Sequence, residues 1–158
     1  MRSQLVFTRN IPDVTALALL AEELLALQSP GQAAAYFLSG PLGVGKTTLA
    51  QQLLQHMGVT EPVTSPTFSL LQHYTVPGTE REVVHMDCYR MEDAEEFFAR
   101  GGEEAAADPR LTCLVEWPEK LSASARECFT APQQYTLALA YAPDGGRTVT
   151  VTQHTPPS

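Results

Sequence analysis

The chain has 158 residues, 44% of them apolar and 18% charged, which suits one domain with a buried core and excludes a disordered or coiled-coil chain. Ten basic residues against 18 acidic ones give a net charge of −8, which argues against independent, tight binding to nucleic acid, because that needs clustered cations. Three widely spaced cysteines and four scattered histidines match neither a disulfide framework nor a zinc ribbon.

In chain order, residues 1–13 lack the apolar run of a signal peptide, and no stretch approaches the ~20 apolar residues of a membrane span. The expectation is a soluble, reduced, cytoplasmic protein with no membrane segment. Leu17, Leu20, Leu24 and Leu27 recur at helical spacing, so the first predicted element is a helix over 14–28, capped by Asp13 or Thr15. Residues 33–38 are continuously apolar and predict a strand buried on both faces. After a Gly-rich loop, a helix over 47–57 turns Leu49, Leu53, Leu54 and Met57 inward and ends at Gly58.

Residues 68–74 and 82–87 read as two strands around Pro77-Gly78. The acid-rich stretch 92–104 reads as a solvated helical face. Residues 111–116 form another buried strand, stopped by Trp117-Pro118. Strands over 135–141 and 147–152 flank Ala142-Pro143-Asp144-Gly145-Gly146, a hairpin signal. This gives a single domain over 1–153 and a short tail over 154–158.

The sequence GPLGVGKT (40–47) matches GxxxxGK[ST] in full. Glycines let the backbone curl so that successive N–H groups point at phosphate oxygens, and the following helix adds its positive end. Lys46 is placed to reach the β- and γ-phosphates and the Thr47 hydroxyl to ligate Mg²⁺. The strand before and helix after are the context this motif requires. Neither Lys46 nor Lys120 begins the guanine-reading [NT]KxD pattern, so adenine is preferred by elimination.

A phosphate loop also needs a carboxylate at the end of a neighbouring strand. Asp87 and Glu116 each directly follow an apolar run, where buried strands open onto a ligand crevice. Either one taken alone is also a common strand-end charge. Thr64-Ser65-Pro66-Thr67-Phe68 presents hydroxyls on a stiffened loop, because proline forces Ser65 into extended geometry. It stands where a γ-phosphate-sensing switch could lie.

The series GPLGVGKTTL (40–49), VTSPTFSLLQHY (63–74), HMDCYRM (85–91), VEWPEK (115–120) and GGR (145–147) resembles the bacterial threonylcarbamoyladenosine-tRNA biosynthesis ATPase family, also called TsaE or YjeE. The resemblance runs in order through nearly the whole chain. It implies a P-loop α/β/α fold of three layers, with a largely parallel central sheet and antiparallel edge strands. It implies weak, Mg²⁺-dependent ATP hydrolysis by a subunit working with TsaD and TsaB, with tRNA engaged only indirectly.

By motif, the family's ATP contacts fall on Gly40, Leu42, Gly43, Val44, Gly45, Lys46, Thr47 and Thr48. Thr47 and Glu116 become metal ligands, and Asp87 the Walker-B-type acid that orients water or metal. Trp117 lies beside the nucleotide, Arg147 touches it, and Thr15 matches more loosely a position near adenine. Ser65 and Thr67 belong to the switch-like segment. Pro41 and Val44 depart from the family's usual acid and alanine, and Pro41 supplies no N–H.

Two other classes compete. Small P-loop kinases bring several lid arginines to the transferred phosphate, whereas residues 117–134 offer only Lys120 and Arg126. A non-hydrolysing nucleotide-gated module needs less carboxylate chemistry than Asp87 and Glu116 together supply.

Overall fold

The computed structural model describes residues 1–29, 31–62 and 70–155. The parallel strands are β2 (Ala34–Ser39), β4 (Glu82–Asp87), β5 (Thr112–Glu116) and β6 (Gln133–Tyr141). Antiparallel strands complete the sheet: β3 (Leu71–Thr75) beside β4, β7 (Arg147–Thr155) beside β6, and β1 (Arg2–Ile11) beside β7. The seven-stranded order is β1-β7-β6-β2-β5-β4-β3. It is the predicted class: a parallel centre with antiparallel edges.

Strand β2 shows why its apolar run is continuous. Ala34, Tyr36 and Leu38 face the layer of α1 (Val14–Leu27) and α2 (Lys46–His56), packing with Leu20, Leu24, Leu49 and Leu53. Ala35 and Phe37 face the opposite layer, packing with Phe97, Ala105, Ala125 and Phe129. That second layer holds three short helices, α3 (Glu95–Ala99), α4 (Gly102–Ala107) and α5 (Ala123–Glu127). A strand covered by helices on both faces has no polar side to show.

Several local expectations change. Helix α1 is preceded by β1, so the first element is a strand. An irregularity between Leu5 and Phe7 interrupts its register with β7, and most of its residues are exposed. Asp13, and not Thr15, caps α1: its Oδ1 accepts the Ala16 N–H at 2.9 Å. The acid-rich stretch is broken into α3 and α4, with Phe97 buried between exposed acids. Strand β7 runs to Thr155, so His154 and Thr155, read as the start of a tail, pair with Ser3 and Arg2. No helix among the described residues is long and apolar enough to cross a membrane.

Candidate nucleotide and metal site

Because β2, β4, β5 and β6 are parallel, their C-terminal ends meet along one edge of the sheet. In such sheets this edge is where ligands bind. The loop from Gly40 to Gly45 leaves β2 there and enters α2 at Lys46. Gly45, with φ 115°, supplies the left-handed residue that starts α2. Gly40 passes so close to β6 that an added Cβ would stand 2.4 Å from the Leu139 carbonyl oxygen.

Lys46 folds back over this loop. Its Nζ donates to the carbonyls of Gly40 (2.5 Å) and Pro41 (2.9 Å), and lies 4.0 Å from the centroid of the Trp117 ring. Pro41 thus contributes its carbonyl to this contact. Burial pulls the Lys46 ammonium below its usual range, opposed by the charges of Glu116, Glu119 and Asp87. None of the described carboxylates is in ion-pair contact with it, which leaves the charge available to an anion.

Thr47 points the other way. Its hydroxyl donates to Glu116 Oε1 at 2.7 Å, across the gap between α2 and the end of β5. Glu116 is 2% exposed. Asp87 ends the next strand and stands opposite Glu116 in the parallel register. Its Oδ1 accepts the Tyr89 N–H at 3.1 Å. Burial raises the Asp87 pKa, and the neighbouring Glu116 charge adds to the rise.

These oxygens fit a hard cation. A hydroxyl and two carboxylates are donors that Mg²⁺ accepts, and Mg²⁺ normally completes its shell with water and substrate phosphate. Among the described residues no group of three or more acidic, His or Cys side chains forms a self-contained metal cage.

The remaining predicted residues sort as follows. Trp117 is the one non-glycine with positive φ among the described residues, and its ring also packs on Tyr89 at 4.9 Å. Arg147 donates from Nε to the Val44 carbonyl at 3.1 Å and lies over the Tyr141 ring, whose hydroxyl donates to the Leu42 carbonyl at 2.9 Å. The β6–β7 hairpin therefore braces the phosphate loop from outside. Thr15 is exposed in the first turn of α1, four residues beyond Ile11, which pairs with Arg147. Gly43 and Thr48 occupy the loop and the first turn of α2. Ser65 and Thr67 lie outside the described residues. A groove of about 900 Å³ opens elsewhere, beside Ala33, Val83 and Thr112 at the opposite ends of the same strands. It touches none of the phosphate-loop residues.

The family description "Threonylcarbamoyl adenosine biosynthesis protein TsaE" matches residues 11–149, which covers the phosphate loop, Asp87, Glu116 and Arg147. The chain belongs to the TsaE family.

Proteins named tRNA threonylcarbamoyladenosine biosynthesis protein TsaE are similar over most of this TsaE-family chain. The one from Haemophilus influenzae is 37% identical over 117 residues, 72% of each chain. That from Treponema pallidum is 36% identical over 114 residues, 72% of this chain and 78% of its own. Among solved structures, the Bacillus subtilis protein YdiB matches with a TM-score of 0.63 at 22% identity. That match covers 96% of this chain and 87% of the other, and shows a shared fold.

One residue of the site carries no role in the sequence reading. His85 is fully buried on β4, and its Nε2 lies 2.5 Å from Glu116 Oε2. The signal available was a polar residue inside an otherwise apolar strand, Val83-Val84-His85-Met86.

Proposed function

We propose that this TsaE-family protein binds ATP with Mg²⁺ and hydrolyses it slowly, serving the threonylcarbamoyladenosine modification of tRNA together with TsaD- and TsaB-type partners. The observation that carries the reading is the Thr47–Glu116 hydrogen bond at the start of α2, next to a lysine with no carboxylate partner among the described residues.

Residue by residue, the loop 40–45 and the first turn of α2 would wrap the phosphates, with Lys46 offsetting their charge. Thr47, Glu116 and Asp87 would hold Mg²⁺, which when bound neutralises charge on the β- and γ-phosphates. Asp87, beside Glu116 at the end of the neighbouring strand, is suited to orient the attacking water. Trp117 screens one side of the site, and Arg147 holds the loop through Val44.

A net charge of −8 opposes tight, independent binding to tRNA phosphates, which favours tRNA contact through a partner. The switch role remains assigned to Ser65 and Thr67. Leu70 accepts the Asp87 N–H on its carbonyl at 3.2 Å. A kinase is less well supported: Arg126, one of the two cations in the region where a lid would lie, stacks on the Phe37 ring 3.3 Å from its centroid, on the α5 side of the sheet.

The test is phosphate release and modified tRNA measured with purified TsaD, TsaB and unmodified tRNA. Slow release alone, quickened by the complex and accompanied by modification, is the expected result. ADP formed only with a small-molecule acceptor that gains the phosphoryl group would mean a kinase, and binding without turnover a nucleotide-gated module.

A further inference from the structure

Both carboxylate oxygens of Glu116 are engaged. Oε1 accepts the Thr47 hydroxyl and Oε2 faces His85 Nε2. The register that pairs His85 with Leu114 and Asp87 with Glu116 puts all four side chains on one face of the sheet. His85 has no exposed surface, so an imidazole there needs a partner to offset its lost hydration. Its Nδ1 has none among the described residues. Nε2 is the ring nitrogen that faces the carboxylate, and an N–H there is the donor that Oε2 accepts.

We propose that His85 is a positioning residue that pins Glu116 Oε2 from within the sheet, so that Oε1 is the oxygen presented to Thr47 and to a divalent cation. The inference rests on the Mg²⁺–ATP reading above. His85 stands behind Glu116, so it acts through the carboxylate alone. Partners that orient a metal ligand in this way commonly govern metal affinity by about 10- to 100-fold.

The experiment titrates Mg²⁺ into full-length protein holding a non-hydrolysable ATP analogue, with Trp117 fluorescence as the readout, for the parent, His85→Leu, His85→Gln and His85→Asn. Affinity for the analogue without Mg²⁺ is measured in parallel. His85→Leu fills the site but donates nothing, and should raise the Mg²⁺ midpoint about 10- to 100-fold while leaving Mg²⁺-free affinity unchanged. The Gln amide reaches the place of Nε2 and should restore the parent midpoint. The Asn amide stops near Nδ1 and should not. If His85→Leu fails to fold, the Gln and Asn pair decides.

A His85→Leu midpoint equal to the parent's overturns the proposal. So does an equal fall in Mg²⁺-free affinity, or a Gln variant no better than Asn. A parent that binds the analogue without any response to Mg²⁺ overturns the Mg²⁺–ATP reading itself, and this inference with it.

Discussion

Lys46 Nζ stands 4.0 Å from the centroid of the Trp117 ring, and Trp117 holds that position in left-handed backbone, φ 59°. Such a conformation costs a non-glycine residue about 1–3 kcal/mol and persists where the surroundings enforce it. Here the Trp117 N–H donates to the Leu38 carbonyl at 3.2 Å and the ring is clamped between Lys46 and Tyr89. Trp117 is the single tryptophan, so its emission reports the contact. ATP should draw the ammonium away and shift the emission. Lys46→Met should show a shifted spectrum without nucleotide, and no further change when ATP is added.

Glu116 and Asp87 should separate by role. Glu116 holds the Thr47 hydroxyl, whereas Asp87 is one strand further out, bonded to the Tyr89 N–H. Glu116→Ala should raise the Mg²⁺ midpoint by about tenfold or more, and Asp87→Ala should mainly lower turnover. Mg²⁺ titrations of phosphate release check both. Equal midpoints in Glu116→Ala and the parent would remove Glu116 from the metal site.

Burial also makes Asp87 costly to the fold. Its raised pKa means that the native state holds the proton more tightly than the unfolded chain does. Between the unfolded pKa and the higher native one, the native state binds more protons, so this residue's contribution to stability falls as pH rises and then levels off. Asp87→Asn should therefore raise stability near neutral pH, by about 1 kcal/mol or 2–4 °C in Tm, while lowering turnover. Thermal unfolding of the parent and Asp87→Asn, once below the ordinary carboxylate range and once near neutrality, checks the sign: the advantage of Asp87→Asn should be present at neutrality and absent in acid.

Gly40 and Gly45 should respond differently to alanine. At Gly40 a Cβ meets the Leu139 carbonyl oxygen, and φ is 143°, so Gly40→Ala should cost about 2–5 kcal/mol. At Gly45 nothing lies within 4 Å and φ is 115°, so backbone strain alone applies, about 1–3 kcal/mol. Denaturant melts of the two variants measure the difference.

How much of this was legible in the chain follows from where each residue sits. The continuous apolar run of β2 and the Leu spacing of α1 were plain, because those elements face a core. Strand β1 was not: it lies on the sheet edge, largely exposed, and the irregularity at Leu5–Phe7 breaks its alternation. Lys46, Thr47, Asp87 and Glu116 stand out as a phosphate-loop motif and as acids after apolar runs. The partnership of His85 with Glu116 depends on the parallel register of β4 and β5, which joins residues 31 positions apart. Sequence spacing does not carry that register.

The cysteines give an independent check on the fold. Burial pushes the Cys88 and Cys113 thiols up to about 12, and Cys128 is raised as well but only half-buried. Thiolate is the reacting form, so iodoacetamide at mildly alkaline pH should modify Cys128 first in native protein and all three cysteines after denaturation. Mass spectrometry reads the adducts. Fast native labelling of Cys88 would contradict its placement behind Asp87.

The central claim is that the loop from Gly40 to Thr47 is a phosphate site whose cation is Lys46. Calorimetric titration of ATP, with Mg²⁺, into the parent and Lys46→Ala tests it most directly. A charge-assisted contact is worth roughly 1.5–3 kcal/mol, so Lys46→Ala, still folded, should bind ATP about 10- to 150-fold more weakly. Equal ATP affinity in the two proteins would contradict the assignment.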